Sequence, residues 1–199
     1  MKNVIFDVDF ILENKRVRLE PLEKRHSSVL LPVVLENPDL LRFSPGPFGT
    51  SEALQQYIEL ALKQRKQEYR YAFAIFDRER NTYAGSTSFG AVSNEHRRLQ
   101  IGWTWLGKNF QRTGLNRNFK YLMLKYVFED LEFERAEFVT DARNLQSQAA
   151  IEAIGGKFEG ELRSHILMLD GFRRNSRYYS ILLDEWPQIK KTCFAEAAE

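Results

Sequence analysis

The sequence QRTGLN at residues 111–116 decides the fold prediction, because it lies between a predicted strand at 99–106 and a predicted helix at 115–128. The first N–H groups of a helix have no intrahelical acceptor, and the helix dipole adds partial positive charge at that end. Gly114 lacks the Cβ that would hold a phosphate away from the backbone, and Arg112 adds a fixed cation. The stretch therefore predicts an anion-binding loop.

Other phosphate-binding patterns are missing from this stretch. Neither the dinucleotide pattern G-x-G-x-x-G nor the P-loop pattern G-x-x-x-x-G-K-[ST] occurs there. A dinucleotide or a nucleoside triphosphate is therefore not the expected ligand. From the residues alone, an ordinary loop that closes a strand–helix unit remains the alternative.

The composition is that of one ordinary globular domain. The 199 residues are 43% hydrophobic and 28% charged, and the net charge is +2, which argues against nucleic acid as a partner. Cys193 has no second cysteine to pair with, and no apolar run is long enough to span a membrane. We expect a cytoplasmic protein with one domain over 1–199, a core at about 15–190 and a C-terminal tail at 191–199.

Apolar periodicity and turn signals predict the element order β-α-α-β-β-β-α-β-α-β-β. A helical crossover joins the fourth and fifth strands, which should therefore be locally parallel. We predict an α/β fold, in the α+β sense, with a mixed and mainly antiparallel sheet of about seven strands flanked by helices. The strands are predicted at residues 15–21, 71–77, 82–92, 99–106, 135–140, 157–168 and 176–183, and the helices at 23–36, 51–68, 115–128 and 144–154.

Four motifs in this order resemble the GCN5-related N-acetyltransferase (GNAT) superfamily, and most of all its ribosomal-protein N-acetyltransferase-like subgroup. They are TGLN at 113–116, TDARNLQS at 140–147, EGELR at 159–163 and SILLDEWP at 180–187. The family's phosphate signature Q/R-x-x-G-x-G/A is matched at its first glycine, and Asn116 replaces its last small residue. The resemblance covers about residues 15–190.

The resemblance implies that the fourth and fifth strands splay apart and that acetyl-CoA, with no metal, lies in the wedge between them. It further implies that a bulge near the end of the fourth strand frees backbone groups for the pantetheine arm and the thioester, and that loop amides hold the pyrophosphate. Transfer to the amine is then direct, without a covalent enzyme intermediate. The implied cofactor-binding residues are Trp105, Leu106, Gln111, Arg112, Thr113, Gly114, Leu115, Asn116 and Asn144.

The usual catalytic residues of the family are replaced in this chain. Many members carry a glutamate base two residues before a glycine of the fourth strand, where this chain has Gln100. Many also carry a tyrosine acid in the helix after the asparagine, where this chain has Ile151. Ser147, three residues after Asn144, is the remaining candidate for the general acid, and a first-turn serine bonded to its own backbone is the alternative.

The general base and the acceptor site are open at this stage. The candidate bases are Glu95 and His96, which lie in a predicted turn, and His165, which lies on a predicted strand. Histidine is the side chain whose charge its surroundings can most easily tune near neutral pH. The acceptor amine should lie across the sheet from acetyl-CoA, against the loop at 42–50. Its candidate lining residues are Phe43, Phe48 and Trp103, although Ile101, Trp103 and Trp105 alternate onto one predicted face and are also candidates for the core.

Three functions remain open, in order of preference. The first is an acetyl-CoA-dependent N-acetyltransferase that acts on a primary amine, with a protein N-terminal α-amine as one acceptor class. The second is a small-molecule amine acetyltransferase, and the third is an acyl-CoA-binding module without catalysis, consistent with Gln100 and Ile151. We expect no nucleic acid and no membrane as partners, and either a monomer or a homodimer.

Overall fold

The computed structural model describes residues 2–197, so residues 198 and 199 of the predicted tail, and residue 1, lie outside the described part. The strands are β1 (Leu12–Glu13), β2 (Val17–Pro21), β3 (Arg70–Asp77), β4 (Thr82–Ser93), β5 (Arg98–Leu106), β6 (Arg135–Asp141), β7 (Lys157–Leu167) and β8 (Arg173–Leu182). The helices are α1 (His26–Glu36), α2 (Ser51–Lys66), α3 (Leu115–Lys125), α4 (Leu145–Glu152) and α5 (Trp186–Cys193).

The strands form one mixed sheet in the order β1-β2-β3-β4-β5-β6-β8-β7. Every neighbouring pair is antiparallel except β5 and β6, which are parallel. The predicted fold class and the predicted parallel pair are therefore confirmed. The sheet has one strand more than predicted, because β1 is only two residues long and carries no readable alternation.

Local sequence signals set the helix ends. The Thr50 hydroxyl accepts a hydrogen bond from the amide of Ala53 at 3.1 Å, which caps the start of α2. Asn37 ends α1 before Pro38, as predicted. Pro32 lies inside α1, which continues past it as one helix rather than breaking there. The helix α3 runs on into one turn of π-helix at Tyr126–Asp130.

The two faces of the sheet carry different helices. Tyr57 of α2 hydrogen-bonds the Ser86 hydroxyl of β4 at 3.2 Å, so α2 covers one face. On the opposite face, the ring of Phe89 stacks with Tyr126, which directly follows α3, at a centroid distance of 5.8 Å. Val4, Phe6 and Phe194 lie outside the predicted core segment 15–190, and all three are buried.

Within residues 2–197, none of the helices combines the length and the apolar character needed to cross a bilayer.

Candidate active site

A cavity opens where β5 and β6 separate. The two strands pair over only three positions, and Gln100 opposite Glu137 is the last pair. Beyond it, β5 continues to Leu106 and β6 to Asp141 without pairing to each other. The cavity has a volume of about 1000 Å³ and is lined by both strands, the loop before α3, and α4.

A bulge interrupts β5 at Trp103 and Thr104. Trp105 pairs with Ser86 of β4, but Gly102 pairs with Ser88, so three steps along β5 match two along β4. Trp103 takes φ +49°, which a bulky side chain rarely adopts. The expected bulge near Trp105 and Leu106 therefore lies earlier, at Trp103 and Thr104, because the chain returns to regular pairing at Trp105.

A close backbone contact borders this bulge. A Cβ at Gly85 would overlap the carbonyl oxygen of Trp105. Glycine is therefore required there for β4 to resume pairing with β5 directly after the bulge.

The bulge also changes which faces the β5 side chains occupy. Ile101 lies opposite Phe89, on the face covered by α3. Trp105 packs edge-on against Tyr57 of α2 at 6.1 Å, on the other face. The predicted common face of Ile101, Trp103 and Trp105 is therefore wrong, because the extra bulge residue shifts the alternation after Gly102.

The loop before α3 presents a row of free backbone donors. Among the hydrogen bonds within residues 2–197, the amides of residues 112–117 donate to no protein acceptor. Gly114 caps α3 with φ +82° and Arg112 has φ +59°, so the backbone turns twice through the left-handed region. Successive amides in such a turn converge on an anion, and the dipole of α3 adds to their field.

Side chains brace this loop without using those amides. The Thr113 hydroxyl donates to the carbonyl of Phe110 at 2.8 Å, and the Gln111 side chain donates to the carbonyl of Leu106 at 3.0 Å. Gln146 of α4 donates to the Gln111 side chain at 2.9 Å. The Thr113 hydroxyl is engaged and the Leu115 side chain is buried, so only the backbone amides of these two residues are free.

Asn144 and Ser147 lie at the start of α4 on the cavity wall. The Asn144 side-chain oxygen accepts the backbone N–H of Ser147 at 3.0 Å and so caps the helix. The Ser147 hydroxyl has no hydrogen-bond partner in the described part of the protein, so it is available to a ligand. Ile151 of α4 also lines the cavity.

Aromatic residues form the wall on the α2 side. Phe43 and Trp103 line the cavity, and Phe48 packs edge-on against Trp105 at 5.1 Å. The indole N–H of Trp105 is buried without a hydrogen-bond partner among the described residues. A buried donor in this state is stabilised when a ligand supplies an acceptor.

Two buried charged side chains, Arg174 and Asp141, also line the cavity. Arg174 of β8 donates to the carbonyl of Phe43 at 2.8 Å and thereby ties the loop at 42–50 to the sheet. Burial lowers the pKa of Arg174. Burial acts to raise the pKa of Asp141, but the hydrogen bonds and charge of Arg143 outweigh it and lower that pKa. Asp141 is therefore ionised and committed to Arg143.

Lys120 is the least expected residue of the cavity. It lies on α3, its side chain is buried, and its amine donates to the Thr104 hydroxyl at 2.9 Å. No carboxylate of the described chain forms an ion pair with it. Burial lowers the pKa of Lys120 to about 7.

The candidate bases are placed away from the cavity. Glu95 and His96 lie in the exposed turn before β5, at the end of that strand opposite to the bulge. His165 is exposed on the edge strand β7, with its ring 6.0 Å from that of Tyr178. Gln100 lies at the last β5–β6 pair.

The structure brings most of the sequence-predicted site residues together around one cavity. The exceptions are Thr113, Leu115, Phe48 and His165, of which the first three adjoin its lining residues. The predicted residues that line it are Phe43, Trp103, Trp105, Leu106, Gln111, Arg112, Gly114, Asn116, Asn144 and Ser147.

Lys120, Thr104 and Arg174 are among the polar residues of the cavity that sequence reasoning missed. A signal for Lys120 was present, because it is the one charged residue within the otherwise apolar run 119–124 of a helix that is buried on most sides. Thr104 and Arg174 carried no such signal, since Thr104 alternates away from the apolar residues of its strand and Arg174 lies between the predicted strands at 157–168 and 176–183.

Comparison with known proteins identifies the family. The model of the "Acetyltransferase (GNAT) domain" family matches residues 16–157 of the chain. The chain belongs to the GNAT acetyltransferase family. It is therefore an acyltransferase enzyme with a single GNAT domain.

Three relatives illustrate the match. The chain is 25% identical over 182 residues to the "Putative ribosomal N-acetyltransferase YdaF" of Bacillus subtilis (strain 168), over 87% of this chain and 94% of that protein. A GCN5-related N-acetyltransferase from Brucella melitensis superposes with a TM-score of 0.86 at 25% identity, over 99% of this chain and 89% of that one. A Salmonella typhimurium acetyltransferase, described as modifying the N-terminal serine of ribosomal protein L7/L12, shares the fold with a TM-score of 0.76 at 20% identity, over 87% and 99% of the chains.

Lys120 gives this GNAT protein a specific pH dependence of stability. Its pKa of about 7 in the folded state lies below the value of ~10.4 in an unfolded chain. Between about pH 7 and ~10.4, the unfolded state therefore binds more protons than the folded state. The free energy of unfolding should therefore rise with pH in this range. Relative to Lys120→Met, the wild type should gain about 2 kcal/mol between about pH 7.5 and about pH 9.5.

Urea unfolding of both proteins at the two pH values measures this difference. A wild-type minus Lys120→Met difference that stays constant with pH would contradict the assignment of a depressed pKa to Lys120.

Proposed function

We propose that this GNAT protein transfers the acetyl group of acetyl-CoA directly to a primary amine, with protein N-terminal α-amines as the acceptor class. The observation that carries the proposal is the run of unpartnered amides at 112–117, located at the mouth of the cavity between β5 and β6. An anion-binding loop that opens into a long, partly apolar cleft suits a ligand with a phosphate end and an extended arm.

The loop fits the pyrophosphate of acetyl-CoA. The six free amides lie at the N-terminus of α3, where its dipole favours negative charge. Arg112 and Arg117 add two cations to the same side of the cavity. The open space around Gly114 allows an oxygen to approach the backbone closely.

The separated strands fit the pantetheine arm. Beyond Gln100, the facing edges of β5 and β6 have no sheet partner in each other, so their backbone groups can bind amides of the ligand. The unpaired indole N–H of Trp105 and the side chain of Asn144 lie along the same cavity. These groups would orient the thioester next to the bulge at Trp103 and Thr104.

Direct transfer suits the side chains that are present. Ser147 is not paired with a histidine, and Cys193 lies outside the cavity lining, so neither supports a covalent intermediate. The free hydroxyl of Ser147 can donate a hydrogen bond to the departing sulfur. The acceptor amine would reach the thioester from the aromatic wall formed by Phe43 and Trp103.

An α-amine acceptor is consistent with the missing strong base. An α-amine has a pKa of ~7.7–8.0 against ~10.4 for a lysine side chain, so a useful fraction is already neutral at physiological pH. No carboxylate replaces the family's glutamate at Gln100, and Asp141 is held by Arg143. The name of the Bacillus subtilis relative, a putative ribosomal N-acetyltransferase, is consistent with a protein as acceptor.

Gly114→Val tests the pyrophosphate loop. A β-branched residue at φ +82° costs about 1–3 kcal/mol, and relaxing this strain would reorient the free amides, so the affinity for acetyl-CoA should fall at least about tenfold. Isothermal titration calorimetry measures it. Gly171→Val is the matched control, because Gly171 has φ +81° and equally open space but lies in the β7–β8 turn. Equal affinity of the Gly114→Val variant and the wild type would show that this loop does not bind the pyrophosphate.

Ser147→Ala tests whether the Ser147 hydroxyl donates a hydrogen bond to the departing sulfur. The variant keeps the backbone N–H that Asn144 accepts, so the cap of α4 and the affinity for acetyl-CoA should stay the same. Turnover should fall about tenfold, because a hydrogen bond to a developing thiolate is lost. Thiol release with a serine-initiated peptide as acceptor reports the rate. Unchanged turnover would leave Ser147 with only a structural role in the first turn.

A further inference from the structure

Lys120 is a buried amine that the proposed function does not yet use. It is 6% exposed and lines the cavity from α3, above the rings of Phe119 at 5.3 Å and Phe138 at 6.0 Å. A lysine in such surroundings is costly to keep charged and is rarely retained without a partner. Its only hydrogen-bond partner in the described chain is the Thr104 hydroxyl.

This partner places the amine at the bulge of β5. Thr104 is one of the two bulge residues, and its hydroxyl also bonds that of Thr87 on β4 at 2.8 Å. The hydrogen-bonded pair of Thr87 and Thr104 therefore positions the amine of Lys120. That point lies beside the separation of β5 and β6, where the proposed function puts the thioester.

The side from which Lys120 reaches the cavity indicates which reacting group it faces. Trp105 packs against Tyr57 of α2 and Trp103 packs edge-on against Tyr69, so the aromatic acceptor wall lies on the α2 face. Lys120 comes from α3, on the opposite face. It is therefore placed toward the leaving group rather than toward the incoming amine.

We propose that Lys120 is a catalytic residue of the transfer, whose ammonium group protonates the sulfur of CoA as the thioester C–S bond breaks; this rests on the proposed function. The acceptor nitrogen forms the new C–N bond and releases its proton to solvent. The C–S electron pair stays on sulfur, which takes the proton of Lys120 and leaves as the thiol. The neutral Lys120 amine then regains a proton from solvent, so the net reaction is amine plus thioester to amide plus thiol.

The acidity of Lys120 matches this task. A thiol has a pKa of ~8.5, so a lysine of ordinary pKa, ~10.4, would protonate it uphill. The Lys120 ammonium, with a pKa of about 7, is the stronger acid and protonates the thiolate downhill. A serine hydroxyl is a weaker acid than a thiol, so Ser147 can hydrogen-bond the sulfur but cannot protonate it.

The other charges around the cavity leave this role open to Lys120. Asp141 of β6 is engaged by Arg143, and Arg174 of β8 by the carbonyl of Phe43. The remaining charged lining residues, Arg112 and Arg117, lie at the loop end, and guanidinium groups do not release protons near neutral pH. Among the described residues that line the cavity, Lys120 is thus the one side chain able to exchange a proton near pH 7.

Steady-state kinetics of three variants test the proposal, with a serine-initiated peptide as acceptor. Lys120→Met should lower kcat at least about 100-fold, and Lys120→Arg should not restore it, because a guanidinium keeps the charge but holds its proton. The wild-type kcat should fall as pH rises above the pKa of the acid, and Lys120→Met should lack this falling limb. Lys125→Met, on the same helix but outside the cavity lining, is the control and should match the wild type.

The outcomes separate the two proposals. If the wild type does not bind acetyl-CoA in calorimetry, both the proposed function and the proposed role of Lys120 are wrong. If wild type binds and turns over and Lys120→Met has the same kcat, only the role of Lys120 is overturned. A Lys120→Arg variant as fast as the wild type would equally overturn the acid role, because charge alone would then suffice.

A second measurement does not depend on the acceptor. The side-chain carbon and proton shifts of Lys120, assigned in NMR spectra by their loss in Lys120→Arg, follow its ionisation with pH. A midpoint near 7 supports the proposal even if the peptide is a poor substrate. A midpoint near ~10.4, as in a solvent-exposed lysine, overturns it.

Discussion

The separation of β5 and β6 after three pairs is the constraint on which the rest of the site depends. A parallel pair inside a sheet normally satisfies its backbone groups along its whole length, and here both strands continue past Gln100 and Glu137 without doing so. This leaves a cleft with unpaired backbone edges at the centre of the domain. The loop before α3 opens onto the same cleft, and so its free amides and the strand edges border one cavity.

The bulge at Trp103 and Thr104 turns this cleft into a two-sided site. By shifting the alternation, it directs Trp105 toward α2 and Thr104 toward Lys120 of α3. The aromatic wall and the Lys120 amine thus lie on opposite faces of one strand. The bulge strains the backbone at Trp103, whose φ is positive. The packing of the Trp103 ring on Gly90 and against Arg70 stabilises this conformation.

Much of this architecture was predictable from sequence, for identifiable reasons. The strand–loop–helix pattern around Gly114 and the helical crossover after it predicted the free amides at the start of α3 and the parallel pair, because both depend on local sequence and chain direction. The position of the bulge was not predictable, since alternation of Ile101, Trp103 and Trp105 reads the same with or without an extra residue. The apolar run 119–124 signalled that Lys120 is buried, but its place in the cavity depends on Phe138 and Thr104, which are distant in sequence.

The central claim, that acetyl-CoA occupies the cleft between β5 and β6, is tested most directly by titrating the isotope-labelled protein with acetyl-CoA and following its backbone amide resonances by NMR. The account predicts shifts concentrated at residues 101–106, 112–117 and 144–147. ATP, which has the phosphates but no pantetheine arm, should shift only the loop amides. Unchanged cleft resonances at saturating acetyl-CoA, or shifts confined to another surface, would contradict the account.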